Sequence, residues 1–133
     1  MISCSATKRD LTDKPAIEVY NGPAYRILRK YSRTDLDILI LSAKYGLISG
    51  DRKISIYEKK MTKKTAKQMR AQTTNKLVEI LKSYTYNEIY INLGKTYRMA
   101  IDFDNPVFKD IDIHFDNGTI GVRLHNLKLW LIS

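Results

Sequence analysis

The chain has 133 residues, 44% of them hydrophobic, with 23 Lys/Arg against 14 Asp/Glu and a formal charge of +9. That is apolar material enough for a single domain with its own core, and the one cysteine, Cys4, excludes a disulfide framework and points to a reducing compartment. No apolar run approaches the roughly 18 residues of a membrane-spanning helix, and Lys8, Arg9 and Asp10 come too early for the apolar stretch of a signal peptide, so the expectation is a soluble, cytoplasmic protein with no membrane partner.

The first element is a short strand over 1–4, ending in a loop that carries Ser3, Cys4, Ser5 and Lys8. Asp10 to Pro15 is polar with a proline and reads as loop. A turn of helix is expected over 15–20. Asn21-Gly22-Pro23 then interrupts, with Pro23 suited to the first turn of a new helix. Ala24, Ile27, Leu28 and Tyr31 recur at helical spacing, and Arg26, Arg29, Lys30 and Arg33 occupy the remaining surface. Tyr20 and Tyr25 flank the Gly-Pro, where they are read either as base-stacking side chains or as packing residues.

The stretch 36–50 is the centre of the sequence. Its nearly continuous apolar run predicts a strand over 37–42 buried on both faces, as in a parallel sheet flanked by helices. The run empties into Ser42-Ala43-Lys44-Tyr45-Gly46, a small polar loop at the strand's carboxyl end, where α/β sheets place ligands. Residues 51–57 read as an ordered loop or a short strand. Thr62 is a helix cap for a long helix over 63–82, whose apolar face is Ala66, Met69, Thr73, Leu77, Ile80 and Leu81. Lys63, Lys64, Lys67 and Arg70 give that helix a basic face able to contact a nucleic-acid backbone.

A second central strand over 89–93 leads through Asn92, Gly94 and Lys95 into a short helix beginning near Tyr97. Gly94-Lys95-Thr96 has the ending of a phosphate-binding loop but lacks the upstream glycine at its required spacing. Ile111, Ile113 and Phe115 alternate as a half-exposed strand, and 121–132 reads as a closing helix with Trp130 as a core anchor. His114 and His125 make no zinc-type spacing with the single cysteine, and Asp110 and Asp112, which share one face of a strand and could hold a divalent ion, read instead as a solvated edge. No metal and no cofactor are expected.

These elements sum to an α/β fold: a single three-layer domain with a mainly parallel central sheet flanked by helices. Ser3, Cys4, Ser5, Lys8, Tyr20, Tyr25, Ser42, Lys44, Gly46, Asn92, Gly94, Lys95 and Tyr97 then converge at the strand ends as a nucleotide or base pocket. Charge agrees with an anionic partner. Twenty of the 23 basic side chains fall within residues 1–100, against nine of the 14 acids, and such a field speeds encounter with nucleic acid or a phosphorylated small molecule.

Ile2-Ser3-Cys4-Ser5-Ala6-Thr7-Lys8, Pro15 to Tyr20 with Gly22-Pro23 and Tyr31, and above all Leu41-Ser42-Ala43-Lys44-Tyr45-Gly46-Leu47-Ile48 resemble the DUF6884 family. Tyr57, Leu93-Gly94 with Tyr97, and 118–131 with Gly121 and Trp130 extend the resemblance over essentially the whole chain. The family is distantly similar to YaaA-type peroxide-stress proteins and to domains attached to archaeal tRNA-guanine transglycosylases. The resemblance implies a role around nucleic acid or modified nucleobases, with Ser3, Ser5, Lys8, Ser42, Lys44, Gly46 and Tyr97 as the pocket. It supplies no catalytic residue. This chain has Tyr45 where a histidine is common in the family, and it lacks the helix-hairpin-helix insert of the YaaA-type relatives.

The leading expectation is a nucleic-acid- or nucleotide-associated protein with a strand-end pocket, acting, if it is an enzyme, on a nucleobase or glycosidic bond. No carboxylate in the predicted pocket is placed to activate water, Glu18 and Asp51 being only near it in sequence. Two alternatives stay open: a non-catalytic nucleic-acid-binding module using the basic helix, and an interaction or structural protein with incidental charge.

Overall fold

The computed structural model describes residues 1–31 and 33–133. Strand β1 (Ile2–Ser3) lies parallel to β3 (Leu39–Ser42), with Ile2 opposite Ile40 and Ser3 opposite Leu41. Between them come β2 (Lys14–Pro15) and helices α1 (Ala16–Val19) and α2 (Pro23–Lys30). Pro23 opens α2 where a missing amide proton costs nothing. After β3 the chain reverses into β4 (Gly46–Ser49), then runs through β5 (Lys53–Ile54), which pairs antiparallel with β2. The long helix α3 (Lys63–Ser83) follows, then β6 (Glu88–Ile91), α4 (Lys95–Arg98), β7 (Asp112–Phe115) and α5 (Ile120–Ile132).

The α/β character holds, but the sheets are small and mixed rather than one clear parallel sheet. Among the described residues three sheets are formed: β1-β3-β4, β2-β5 and the parallel pair β6-β7. A parallel bridge from Ile2 to Asn92 sets β6 beside β1, and the Asn92 amide donates to the Met1 carbonyl at 2.9 Å. The departure from the expected sheet begins at Ser42. Ala43, Lys44 and Tyr45 form a turn, and Gly46 takes a φ of +72° that a side chain would resist. The chain therefore returns antiparallel, pairing Ser42 with Gly46 and Ile40 with Ile48, instead of crossing over through a helix.

Alternation along this hairpin divides the apolar interior. Ile40 and Ile48 face a cluster with Val19, Leu28, Leu127 and Leu131, whereas Leu41 and Leu47 face one with Ala66, Leu77, Ile91 and Phe108. Helices α1, α2 and α5 thus supply one cluster and α3 the other. The cap expected at Thr62 is present, its hydroxyl accepting from the Thr65 amide at 3.1 Å, an arrangement worth about 1 kcal/mol. Of the apolar face expected for α3, Ala66, Thr73 and Leu77 are buried.

Candidate functional site

The carboxyl ends of β1 and β3 meet over a network of hydroxyls. Ser42 is fully buried, and its Oγ accepts the amides of Lys44 at 3.2 Å and Tyr45 at 3.0 Å. The same Oγ lies 2.8 Å from the Tyr57 hydroxyl and accepts from the Tyr20 hydroxyl at 3.4 Å, while the two phenols are 2.6 Å apart. One serine thereby closes the β3–β4 turn and anchors two tyrosines brought from distant segments. Tyr20 arrives because the loop after β1 pairs with it: Lys8 bridges Tyr20 antiparallel, and the Asn21 amide donates to the Thr7 carbonyl at 2.8 Å. Tyr57 follows β5, and the segment before it is held by the Ala16 amide donating to the Arg52 carbonyl at 2.8 Å.

Burial raises the pKa of Tyr20, Tyr25 and Tyr57 above the ordinary tyrosine value. Tyr97 is raised by burial first and then by its contact with Cys4, the Tyr97 hydroxyl and the Cys4 sulfur being 3.2 Å apart. At neutral pH these phenols keep their protons and serve as hydrogen-bond donors, not as bases.

Cations stand at the edge of the network. The Lys8 ammonium is 4.6 Å from the Tyr57 ring centroid and 5.9 Å from that of Tyr20. From the turn, the Lys44 ammonium is 5.5 Å from the same Tyr57 ring and 5.1 Å from that of Tyr45, which Arg52 also approaches at 5.1 Å. Tyr45 and Tyr57 meet edge to face at 5.3 Å. None of the ion pairs among the described residues includes Lys8, Lys44 or Arg52. Three positive groups thus share two tyrosine rings, and among the described residues none of the three is paired with a carboxylate.

Several residues expected in the pocket have other work. Tyr20 and Tyr25 are 0% and 1% exposed, so neither ring can stack a base; the Tyr25 hydroxyl donates to the Ser3 carbonyl at 2.7 Å. Ser42 is closed off as well and has no open face toward a ligand. Asn92 does not read a base edge, because its amide donates to the Arg123 carbonyl and accepts from the Arg123 guanidinium, both at 3.1 Å. Gly94 caps α4, and Lys95 is exposed at its start. The Ser5 hydroxyl donates to the Thr7 carbonyl at 2.7 Å and lies against Gly22, where an added Cβ would come 2.7 Å from it. On the basic helix Lys63, Lys64 and Lys67 are exposed, whereas Arg70 sits 3.6 Å from Asp102.

Tyr57, Tyr45 and Arg52 belong to this cluster and were missed as site residues. The aromatic pair Tyr45 and Tyr57, each with basic residues close by in sequence, is the signal that would have found them. A buried carboxylate, Asp116, was missed too. It accepts from the Tyr90 hydroxyl at 2.9 Å, the Gly118 amide at 3.3 Å and the Asn126 amide at 3.4 Å, so it is a structural acceptor behind α5.

The other end of the strands is different. There a cleft of about 390 Å³ is floored by Leu28, Leu77, Leu127 and Trp130 and rimmed by Asp37 and Glu88. Trp130 stacks on Tyr90 at 4.8 Å, and Arg33 lies 5.4 Å above the indole while pairing with Asp35 at 2.6 Å. Tyr86 donates to the Asp37 carboxylate; burial first, then this bond, pushes its pKa up to about 12.

A model for a family of unknown function, DUF6884, matches residues 1–129. The chain belongs to the DUF6884 family. The match takes in the whole β1–β3–β4 sheet and the cluster at its carboxyl end, with the Ser42-Ala43-Lys44-Tyr45-Gly46-Leu47 stretch forming the hairpin itself. Comparison with curated proteins finds no match. Among the described residues, no helix of this DUF6884 chain is long and apolar enough to cross a membrane.

Proposed function

We propose that this DUF6884 protein binds a phosphate-bearing partner, nucleic acid or a nucleotide, at the carboxyl ends of β1 and β3. One observation carries the reading: Lys8 and Lys44, reaching the Tyr57 ring from separate loops, have no carboxylate partner among the ion pairs of the described residues. Each ammonium lies near that ring without a carboxylate counter-charge, and an anion bound beside them would lower the local positive potential. Amide and hydroxyl groups of the Ser42 turn stiffen the loop that carries Lys44, so little ordering is lost on binding.

We read the parallel pairs β1–β3 and β6–β7, taken through the Ile2–Asn92 bridge, as a mainly parallel sheet between helical layers. A ligand at its carboxyl edge fits the general placement of sites in such folds. The reading is one of binding. Protonated phenols donate hydrogen bonds but do not activate water, and Glu18 and Asp51 are exposed and outside the hydroxyl network. The exposed lysines of α3 would add sequence-independent attraction to a polyanion.

The test is a titration against single- and double-stranded DNA, structured RNA and a nucleotide panel at two salt concentrations. Saturable binding that persists at the higher salt and is lost in the Lys8→Ala/Lys44→Ala double variant supports the reading. Binding that collapses with salt, and is lost only in Lys63→Ala/Lys64→Ala/Lys67→Ala, would instead assign contact to the α3 face. No saturable binding to any of these would leave the charge incidental.

A further inference from the structure

Glu88 and Asp112 stand opposite one another in the β6–β7 register, and His114 follows two positions along β7, opposite Tyr90. Strand alternation therefore sends Glu88, Asp112 and His114 to one face, the face on which Tyr90 stacks against Trp130. The His114 Nε2 lies 3.2 Å from a Glu88 oxygen and 3.3 Å from an Asp112 oxygen, and all three atoms fall within 4.8 Å of one another.

We propose that Glu88, Asp112 and His114 form a binding site for a first-row divalent cation such as Zn²⁺ or Mn²⁺. The site is separate from the lysine–tyrosine cluster, at the opposite end of the strands, and does not depend on the phosphate reading. Ligand atoms about 2.0–2.1 Å from a tetrahedral Zn²⁺ are about 3.3–3.4 Å from each other, and the two imidazole–carboxylate distances match that edge. Rotation of an exposed carboxylate closes the third edge. The donor set is mixed: imidazole suits zinc, iron and nickel, while carboxylates suit manganese and magnesium, so a borderline first-row ion fits both.

Two carboxylates and a neutral imidazole balance a dipositive ion, which makes the site electrically neutral when filled. The ligands come from adjacent hydrogen-bonded strands, so the backbone fixes their spacing before any ion arrives. Three protein ligands leave coordination positions open to solvent, and Glu88 also borders the 390 Å³ cleft, where a ligand could reach such an ion. The competing account is an ion-paired His114 holding the two carboxylates with no metal.

The experiment titrates Zn²⁺ and, separately, Mn²⁺ into the chelator-treated full chain by calorimetry, with Co²⁺ as an optical probe of coordination. The expected result is one saturable site per chain, lost in His114→Ala and in Glu88→Gln/Asp112→Asn and kept in His125→Ala and Cys4→Ser. All three proposed ligands are exposed, so these variants should fold, which circular dichroism checks. Absence of saturable binding overturns the proposal. So does binding that survives His114→Ala, or that disappears instead in His125→Ala or Cys4→Ser.

Discussion

The two ends of the strands solve the same problem in opposite ways. At the carboxyl end, Ser42, Tyr20 and Tyr57 satisfy one another, and charge stands at the rim of their closed network, on Lys8, Lys44 and Arg52. At the amino end an open cleft remains, and its border carries Asp35, Asp37 and Glu88 against a single arginine, Arg33. In a chain of charge +9 that acidic border is a local reversal of sign. If the carboxyl end is the phosphate site proposed above, the contrast teaches that the widest cleft and the phosphate site need not coincide. Polar groups that find each other fill their own pocket, so under the proposed reading recognition there would fall to what stands outside it.

Breaking the closed end should cost the most. Ser42→Ala leaves the Lys44 and Tyr45 amides without their acceptor and is expected to destabilise the fold by about 1–3 kcal/mol in a denaturant titration. A near-neutral result would mean that the hydroxyl network does not hold the hairpin. Alkali offers a second route to the same end. Burial raises Tyr20, Tyr25, Tyr57 and Tyr97 above the ordinary 10.0, so the folded protein keeps protons that an unfolded chain releases. Their contribution to stability is whole below pH 10 and is lost as pH rises through the folded values. Tyrosinate absorbance and circular dichroism followed together should therefore show late ionisation coupled to unfolding. The smallest effect belongs to the rim: Lys44→Ala should change stability by no more than about 0.5 kcal/mol, since the side chain is exposed.

Much of the helical frame was legible because its signals are local. Thr62 caps α3, Pro23 opens α2, and the spacing of Ala66, Thr73 and Leu77 marks the buried face. The site was less so, because its geometry is made by contacts between distant segments. Nothing local to Tyr20 announces that its hydroxyl will be taken by Ser42 and Tyr57, so a tyrosine read as a base-stacking group is a buried packing residue. The hairpin was missed because the apolar stretch of β4 is no more than Leu47 and Ile48, and the turn before it looked like a ligand loop. Glu88 and His114 are 26 positions apart, and only the parallel register of β6 and β7 joins them.

The most direct test of the account is to titrate inorganic pyrophosphate into the isotopically labelled protein and follow backbone amide shifts. The account predicts saturable shifts confined to the Lys8 loop, the turn from Lys44 to Gly46, and Tyr57. Shifts confined to α3 or to the amino-end cleft, or no saturable shifts at all, would contradict it.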